Sequence, residues 1–140
     1  MIVVAKKIAF EDERGQIIDI IEGEPVEHAT IITCKKGALR GNHYHKKTIQ
    51  YAYIVSGSMK ILTQIPGKSI VTHTVVRGDL MINPPLERHA WIVLEDTLVF
   101  VLTKGPRGGK DYESDTYRLP PEERLTNILG NTERGMPLKS

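Results

Sequence analysis

The chain has a single cysteine, Cys34, so it holds no disulfide within itself, and a reducing compartment is the simpler reading. Aromatic residues make up only 6%, too thin for a platform that stacks single-stranded nucleic acid. Neither charge sign dominates: 19 Lys and Arg face 17 Asp and Glu, for a net charge of +2. That balance gives no electrostatic ground for a nucleic-acid or membrane partner. Residues 1–7 contain no apolar run long enough for a signal peptide or a membrane span, so the chain is read as cytoplasmic. Internal repeats and low-complexity tracts are also missing.

What is present suits one globular domain. At 140 residues and 40% hydrophobic content the chain can close a real core. β-Branched runs recur with turn residues between them. Residues 2–8 predict an edge or exchanged strand, 16–21 a short strand, and 29–34 another ended by Lys35-Lys36-Gly37. Residues 51–55 and 59–63 flank Ser56-Gly57-Ser58 and predict a hairpin. Further strands are expected at 70–76, 80–82, 89–93 and 97–102, with Pro84-Pro85 stopping one of them. Short strands at this spacing predict an all-β sandwich or closed barrel. Residues 121–130 begin with proline and acids and end with glycine, the asymmetry of a short helix. The expected division is a barrel domain over 1–118, then a short C-terminal helix and mobile tail over 119–140.

Chemistry gathers in residues 40–50, Arg-Gly-Asn-His-Tyr-His-Lys-Lys-Thr-Ile-Gln. On an extended strand His43 and His45 point the same way. His89, two strands on, is a third candidate, expected on the opposite wall of a shared mouth. His28 and His73 match no motif position and are read as surface or filler, and Tyr51 and Tyr53 as packing.

Two chemistries fit the cluster. His43, His45, His89 and Gln50 can hold a divalent transition metal, since imidazole and a neutral carbonyl oxygen are competent donors. Alternatively the imidazoles act as acid and base on an organic substrate, because their ordinary pKa lies near neutrality. Gln50 brings no anionic charge, and Arg40, Lys46 and Lys47 add positive charge nearby. That balance raises the Coulomb cost of a dication and welcomes a phosphate, with Arg40 able to bind it in bidentate fashion. No cofactor is therefore favoured, and a divalent transition metal stands as the alternative.

Gly41-x-His43-x-His45, Gln50 and Gly57, followed by Gly78, Pro84 and His89, resemble the two sequence motifs of the cupin superfamily. Leu86 stands where the second motif has a glycine. The resemblance implies a double-stranded β-helix, the cupin jelly-roll barrel. Within that superfamily, Arg40-Gly41-x-His43-x-His45-Lys46-Lys47-x-x-Gln50 is similar to the dTDP-4-keto-6-deoxyglucose 3,4-ketoisomerases, which act on sugar nucleotides. Arg14-Gly15 and, loosely, residues 111–115 extend the likeness.

The ketoisomerase likeness implies a metal-free isomerisation by proton transfer. His45 would be the carbon base and His43 its partner in moving the hydroxyl proton. Arg40, Lys46, Gln50 and His89 would bind the substrate. Those enzymes favour tryptophan and glutamate on either side of the third histidine, where this chain has Arg88 and Ala90. An epimerase of the dTDP-4-dehydrorhamnose 3,5-epimerase type, with the same proton abstraction, is a near neighbour. The function expected is thus isomerisation or epimerisation of a nucleotide-activated keto-deoxysugar. A metal-binding cupin with oxygenase or isomerase activity, or a non-catalytic sugar-binding cupin, are the alternatives. An exposed N-terminal edge strand also predicts a homodimer.

Overall fold

The computed structural model describes residues 1–106, 110 and 113–129. The tail expected from residue 130 onward, and parts of the stretches 105–109 and 111–115, lie outside the described residues. In chain order the strands begin with β1 (Ile2–Ala5), β2 (Phe10–Asp12), β3 (Gly15–Ile17), β4 (His28–Cys34), β5 (Leu39–Tyr44) and β6 (Ile49–Ser56). They continue with β7 (Ser58–Gln64), β8 (Val71–Val76), β9 (Asp79–Asn83), β10 (Arg88–Val93), β11 (Thr97–Lys104) and β12 (Tyr117–Arg118). Two five-stranded antiparallel sheets face each other, ordered β1-β9-β6-β11-β4 and β12-β5-β10-β7-β8. This is the cupin jelly roll that the turn spacing and motifs predict.

Strand periodicity explains the core. Along β11 every second residue is buried, so Val99 and Val101 point between the sheets while Phe100 and Leu102 face outward. Ile54, Met59, Ile61, Val75, Met81 and Val93 join them from neighbouring strands. Each such side chain, fully withdrawn from water, contributes about 1.5–3 kcal/mol. Tyr51 and Tyr53 lie on the outer face of β6 with Leu80, under Ile20, Ile21 and Phe100, and so are packing residues as expected. A third cluster, on the outer face of the second sheet, joins Leu62, Ala90 and Ile92 to Leu119, Leu125 and Leu129.

Three local expectations are corrected. The strand expected over 16–21 stops at Ile17, because β3 pairs only with β2 in a separate hairpin. Ile20 and Ile21 instead cover the outer aromatic cluster. Residues 2–8 form a strand only to Ala5, and that strand pairs with β9 of its own chain. The helix expected over 121–130 is two 3-10 turns, Pro121–Glu123 and Leu125–Ile128, divided by Arg124 in extended conformation (φ −61°, ψ 133°). A continuous helix would bond the Leu125 amide back to Pro121. Here that amide donates to Asn42 Oδ1 at 2.8 Å instead, and the tertiary contact wins.

Candidate active site

The motif glycine has a geometric cause. In the ladder between β5 and β10, His43 lies opposite His89 and Gly41 opposite Ala90, which leaves Asn42 as the extra residue of a bulge. Gly41 (φ +88°) and Asn42 (φ +58°) both take left-handed backbone there. A Cβ on Gly41 would meet the His89 carbonyl oxygen at 2.8 Å, so no larger residue fits without moving β10. The bulge sets the His43 ring inward and turns Asn42 toward the C-terminal segment.

The structure brings the three predicted imidazoles together. Ring centroids of His43 and His45 are 5.0 Å apart, His43 and His89 4.7 Å, and His45 and His89 5.2 Å. Their nearest ligand-competent nitrogens all fall within 4.8 Å of one another. His89 is not on the opposite wall as expected. It stands beside His43 in the same sheet, because β5 and β10 are direct neighbours. The facing wall is supplied by Gln50 on β6 and Ile32 on β4, both from the other sheet.

A cavity of about 360 Å³ opens onto the cluster. His43, His89, Gln50, Arg40 and Trp91 line it, whereas His45, at 2% exposure, stands behind. His43 is thus nearer the cavity than His45, to which the resemblance gives the carbon-base role. Gln50 is 3% exposed, and its Oε1 has no hydrogen-bond partner among the described residues. Trp91 Nε1–H is buried in the same condition. One buried acceptor and one buried donor at the cavity suit a ligand bearing hydroxyl and carbonyl groups, since orphaned buried polar groups are costly. Arg40 reaches the Thr33 carbonyl at 3.0 Å while still lining the cavity. Lys46 does not line it, and its ammonium rests 4.2 Å above the Tyr117 ring, which stacks on Tyr44. Burial pushes the Cys34 thiol above its ordinary pKa despite nearby Arg40, so Cys34 is a neutral core residue.

The sequence reading missed the residue that holds His45. Asp115 (φ +58°) presents its carbonyl oxygen 2.9 Å from His45 Nδ1. A carbonyl only accepts, so this bond requires Nδ1–H, and neutral His45 then carries its basic lone pair on Nε2 inside the cluster. The Asp115 carboxylate in turn accepts from the backbone amides of Lys46, Lys47 and Thr48 and from the Thr48 hydroxyl, all at 2.8–3.0 Å. Partial burial raises the pKa of this carboxyl, but those donors outweigh it and hold it below the ordinary aspartate value. The only sequence signal was the loose motif match over 111–115, which gave no role to any one residue.

Asn42 was missed as well. Its Oδ1 accepts from the amides of Leu125 and Thr126, its Nδ2 donates to Thr126 Oγ1, and its carbonyl accepts from Leu119. These bonds lay the C-terminal segment across the mouth of the barrel. Glu113, Thr116, Arg118, Leu119 and Arg124 of that segment become cavity wall.

The three imidazoles form a donor set that a divalent transition metal accepts, with Gln50 on the facing wall of the same cavity and no carboxylate in the set to offset the charge.

A family model described as the polysaccharide biosynthesis C-terminal domain matches residues 10–88. A search of curated proteins finds no match. Among solved structures, the chain resembles dTDP-4-dehydrorhamnose 3,5-epimerase from Sulfolobus tokodaii, with 16% identity over 86% of this chain and 77% of that one and a TM-score of 0.71. It also resembles the sugar 3,4-ketoisomerase QdtA from Thermoanaerobacterium thermosaccharolyticum in complex with TDP. There the identity is 22%, the coverage 92% of this chain and 96% of that one, and the TM-score 0.70. A third is the 3'-monoepimerase ChmJ from Streptomyces bikiniensis in complex with dTDP, at 17% identity, 86% and 69% coverage and a TM-score of 0.68. Identities this low establish the shared fold.

Proposed function

The chain belongs to the family of the polysaccharide biosynthesis C-terminal domain, and from that premise we propose that it is an isomerase or epimerase of a nucleotide-activated keto-deoxysugar. The observation that carries this reading is the placement of His43 on the cavity wall, with His45 and His89 packed against it. His43 removes the proton from the carbon beside the ketone, leaving an enediolate, and the buried Trp91 Nε1–H, which lines the same cavity, donates to its oxygen. His45, held as the Nδ1–H tautomer by Asp115, accepts or returns the second proton through its Nε2. Return of the first proton to the neighbouring carbon, as the hydroxyl proton passes to the former ketone oxygen, gives the isomer, whereas epimerisation needs a second proton donor on the face opposite His43. Gln50 and His89 hold the sugar hydroxyls, and Arg40 anchors the anionic end. The names of the structural relatives, two epimerases and a ketoisomerase of dTDP-linked sugars, support the substrate class.

The test is deuterium wash-in. dTDP-4-keto-6-deoxyglucose incubated with the protein in heavy water should gain deuterium beside its ketone, and His43→Asn should abolish the gain. If the wild-type chain exchanges no proton on dTDP-, UDP- or GDP-linked 4-keto sugars, the reading fails and a non-catalytic sugar-binding barrel replaces it.

A second reading rests on the convergence of His43, His45 and His89 donor atoms within 4.8 Å. In it these residues and Gln50 hold a divalent transition metal, which would supply Lewis acidity. A stoichiometric metal in protein purified without chelator, required for exchange, would favour it over the metal-free reading. The free edge of β1, with Ile2 and Val4 exposed, supports a homodimer joined along that edge, which light scattering at micromolar concentration tests. Cytoplasmic location remains part of this reading, resting on the lone buried Cys34.

A further inference from the structure

We propose that the C-terminal segment carries the anion site of the cavity, with Arg118 and Arg124 joining Arg40 of β5 to take the diphosphate of the substrate, while Glu113 holds Arg118 in place until it arrives. This deepens the reading above and rests on it for the substrate class.

Three guanidinium groups line one cavity, and the sequence reading counted only Arg40 among them. Against them, among the described residues, stands a single carboxylate at the cavity wall, Glu113, so the fixed charges of the described lining come to a net +2. The diphosphate diester of a nucleotide sugar carries about two negative charges at neutral pH, since both phosphates are strong acids and neither keeps a second ionisable proton. Guanidinium is also the cation whose planar fork matches phosphate oxygens in pairs.

Placement supports the same conclusion. Arg118 lies directly across the β5–β12 ladder from His43. Adjacent strands are about 4.8 Å apart, which is also about the distance across a sugar ring from its anomeric oxygen to the far carbons. Residues paired across an antiparallel ladder project from the same face, so the Arg118 side chain leaves the sheet beside His43, within reach of a phosphate on a sugar bound there. Arg124 is fixed by its neighbours, because the amides of the next two residues, Leu125 and Thr126, are both held by Asn42 Oδ1. No ion pair or side-chain hydrogen bond engages the Arg124 guanidinium among the described residues, which leaves it available to a ligand. Arg118, by contrast, is already paired. Glu113 accepts from its Nη2 through both carboxylate oxygens, at 2.9 and 3.1 Å, with both side chains at least half exposed. An exposed pair of this kind is worth little on its own, so an incoming phosphate displaces the carboxylate readily.

The experiment is calorimetric titration of the full chain with TDP and, separately, with inorganic pyrophosphate at low salt. Arg124→Ala should weaken TDP about tenfold or more, the usual cost of losing a charge-assisted hydrogen bond. Arg118→Ala should weaken both probes comparably. Because Arg118→Ala also risks loosening the segment, Glu113→Gln provides a gain-of-binding check that misfolding cannot mimic. It should tighten both probes about two- to fivefold by freeing Arg118. The proposal is overturned if Arg124→Ala and Arg118→Ala bind TDP as tightly as the wild type, or if the wild type binds neither probe. His43→Asn separates this subsite from the chemistry. Loss of arginine dependence in a chain that still exchanges deuterium sinks the anion site alone. Intact arginine dependence in a chain that never exchanges sinks the isomerase reading alone.

Discussion

The two regions that meet at the cavity are held by different forces. The barrel wall is fixed by backbone: β10 is paired with β7 along its whole length and with β5 from His89 to Ile92, so His43 and His89 sit opposite each other by register. The segment 113–129 has only the short β12 ladder, and beyond it side chains tie it down: Asp115 and Asn42 through hydrogen bonds, and Leu119, Leu125 and Leu129 through packing on the second sheet. Register is hard to shift by single substitutions, whereas a side-chain anchor is lost by one. The imidazole cluster therefore stands on the rigid region, and the wall that closes over it stands on the separable one. Local openings of proteins follow this division, starting where few apolar contacts and ladder bonds must break.

The largest expected effect tests whether the chemistry belongs to the barrel. His43→Asn should lower deuterium wash-in about 10²–10⁴-fold, the usual contribution of a positioned acid or base. Its melting temperature should stay close to that of the wild type, because the ring lines a cavity rather than filling the core. Full activity in this variant would break the comparison by moving the chemistry to His45 or onto the C-terminal segment.

Next comes the independence of the segment. Leu125 is 1% exposed and packs with Leu62, Ala90 and Ile92 on the outer face of the second sheet, away from the main core. Leu125→Ala should cost about 2–4 kcal/mol, spent on the docking of the segment. Hydrogen exchange should then speed up at the amides of Leu119, Leu125 and Thr126 while those of β6 and β11 keep their protection. Equal loss of protection in both places would mean that the two regions unfold as one unit.

Acid should divide the regions more gently. The Asp115 carboxyl is held below its ordinary pKa by the amides it caps. Its contribution to docking is therefore complete above the unfolded value, about pH 4, and is lost as pH falls through the lower folded value. Between pH 7 and 5 the segment should stay docked. Below about pH 4 its amides should lose protection before those of the barrel, and Asp115→Ala should show that loss already at pH 7. A pH-independent difference between the regions would remove Asp115 from the account.

The same contrast explains what was legible in the sequence. Strands β4 and β6 to β11 follow from local signals, namely β-branched runs, the Ser56-Gly57-Ser58 turn and Pro84-Pro85. His43, His45, Gln50 and His89 were singled out by motif spacing on strands, a local matter too, and the structure brings the three imidazoles together with Gln50 on the cavity wall. Residues 121–130 carried equally good local signals for a helix, yet their amides were captured by Asn42, a residue some eighty positions earlier. Asp115 reaches His45 and the 46–48 turn across a similar separation. Neither anchor announces itself by type, since Asn and Asp beside turns are ordinary loop residues. The arginines of the cavity were missed for the same reason: Arg118 and Arg124 join its wall only once the segment is docked.

The smallest effect lies in the turn that joins β9 to β10, where the second motif has glycine and this chain has Leu86. The motif is structural there, since Leu86 takes φ +72° and its amide donates to the His45 carbonyl at 2.6 Å. A left-handed residue with a Cβ costs about 1–2 kcal/mol, and glycine gives back about half of that through its freer unfolded chain. Leu86→Gly should therefore stabilise the fold by about 0.5–1 kcal/mol, a rise of about 3 °C in Tm. Exchange of deuterium into substrate should not change, because Leu86 does not line the cavity. A fall in Tm would reverse the argument. Leu86 is 54% exposed in the single chain, so its side chain would then have to earn that stability against a second copy. The same measurement at several protein concentrations would reveal this as a concentration-dependent Tm.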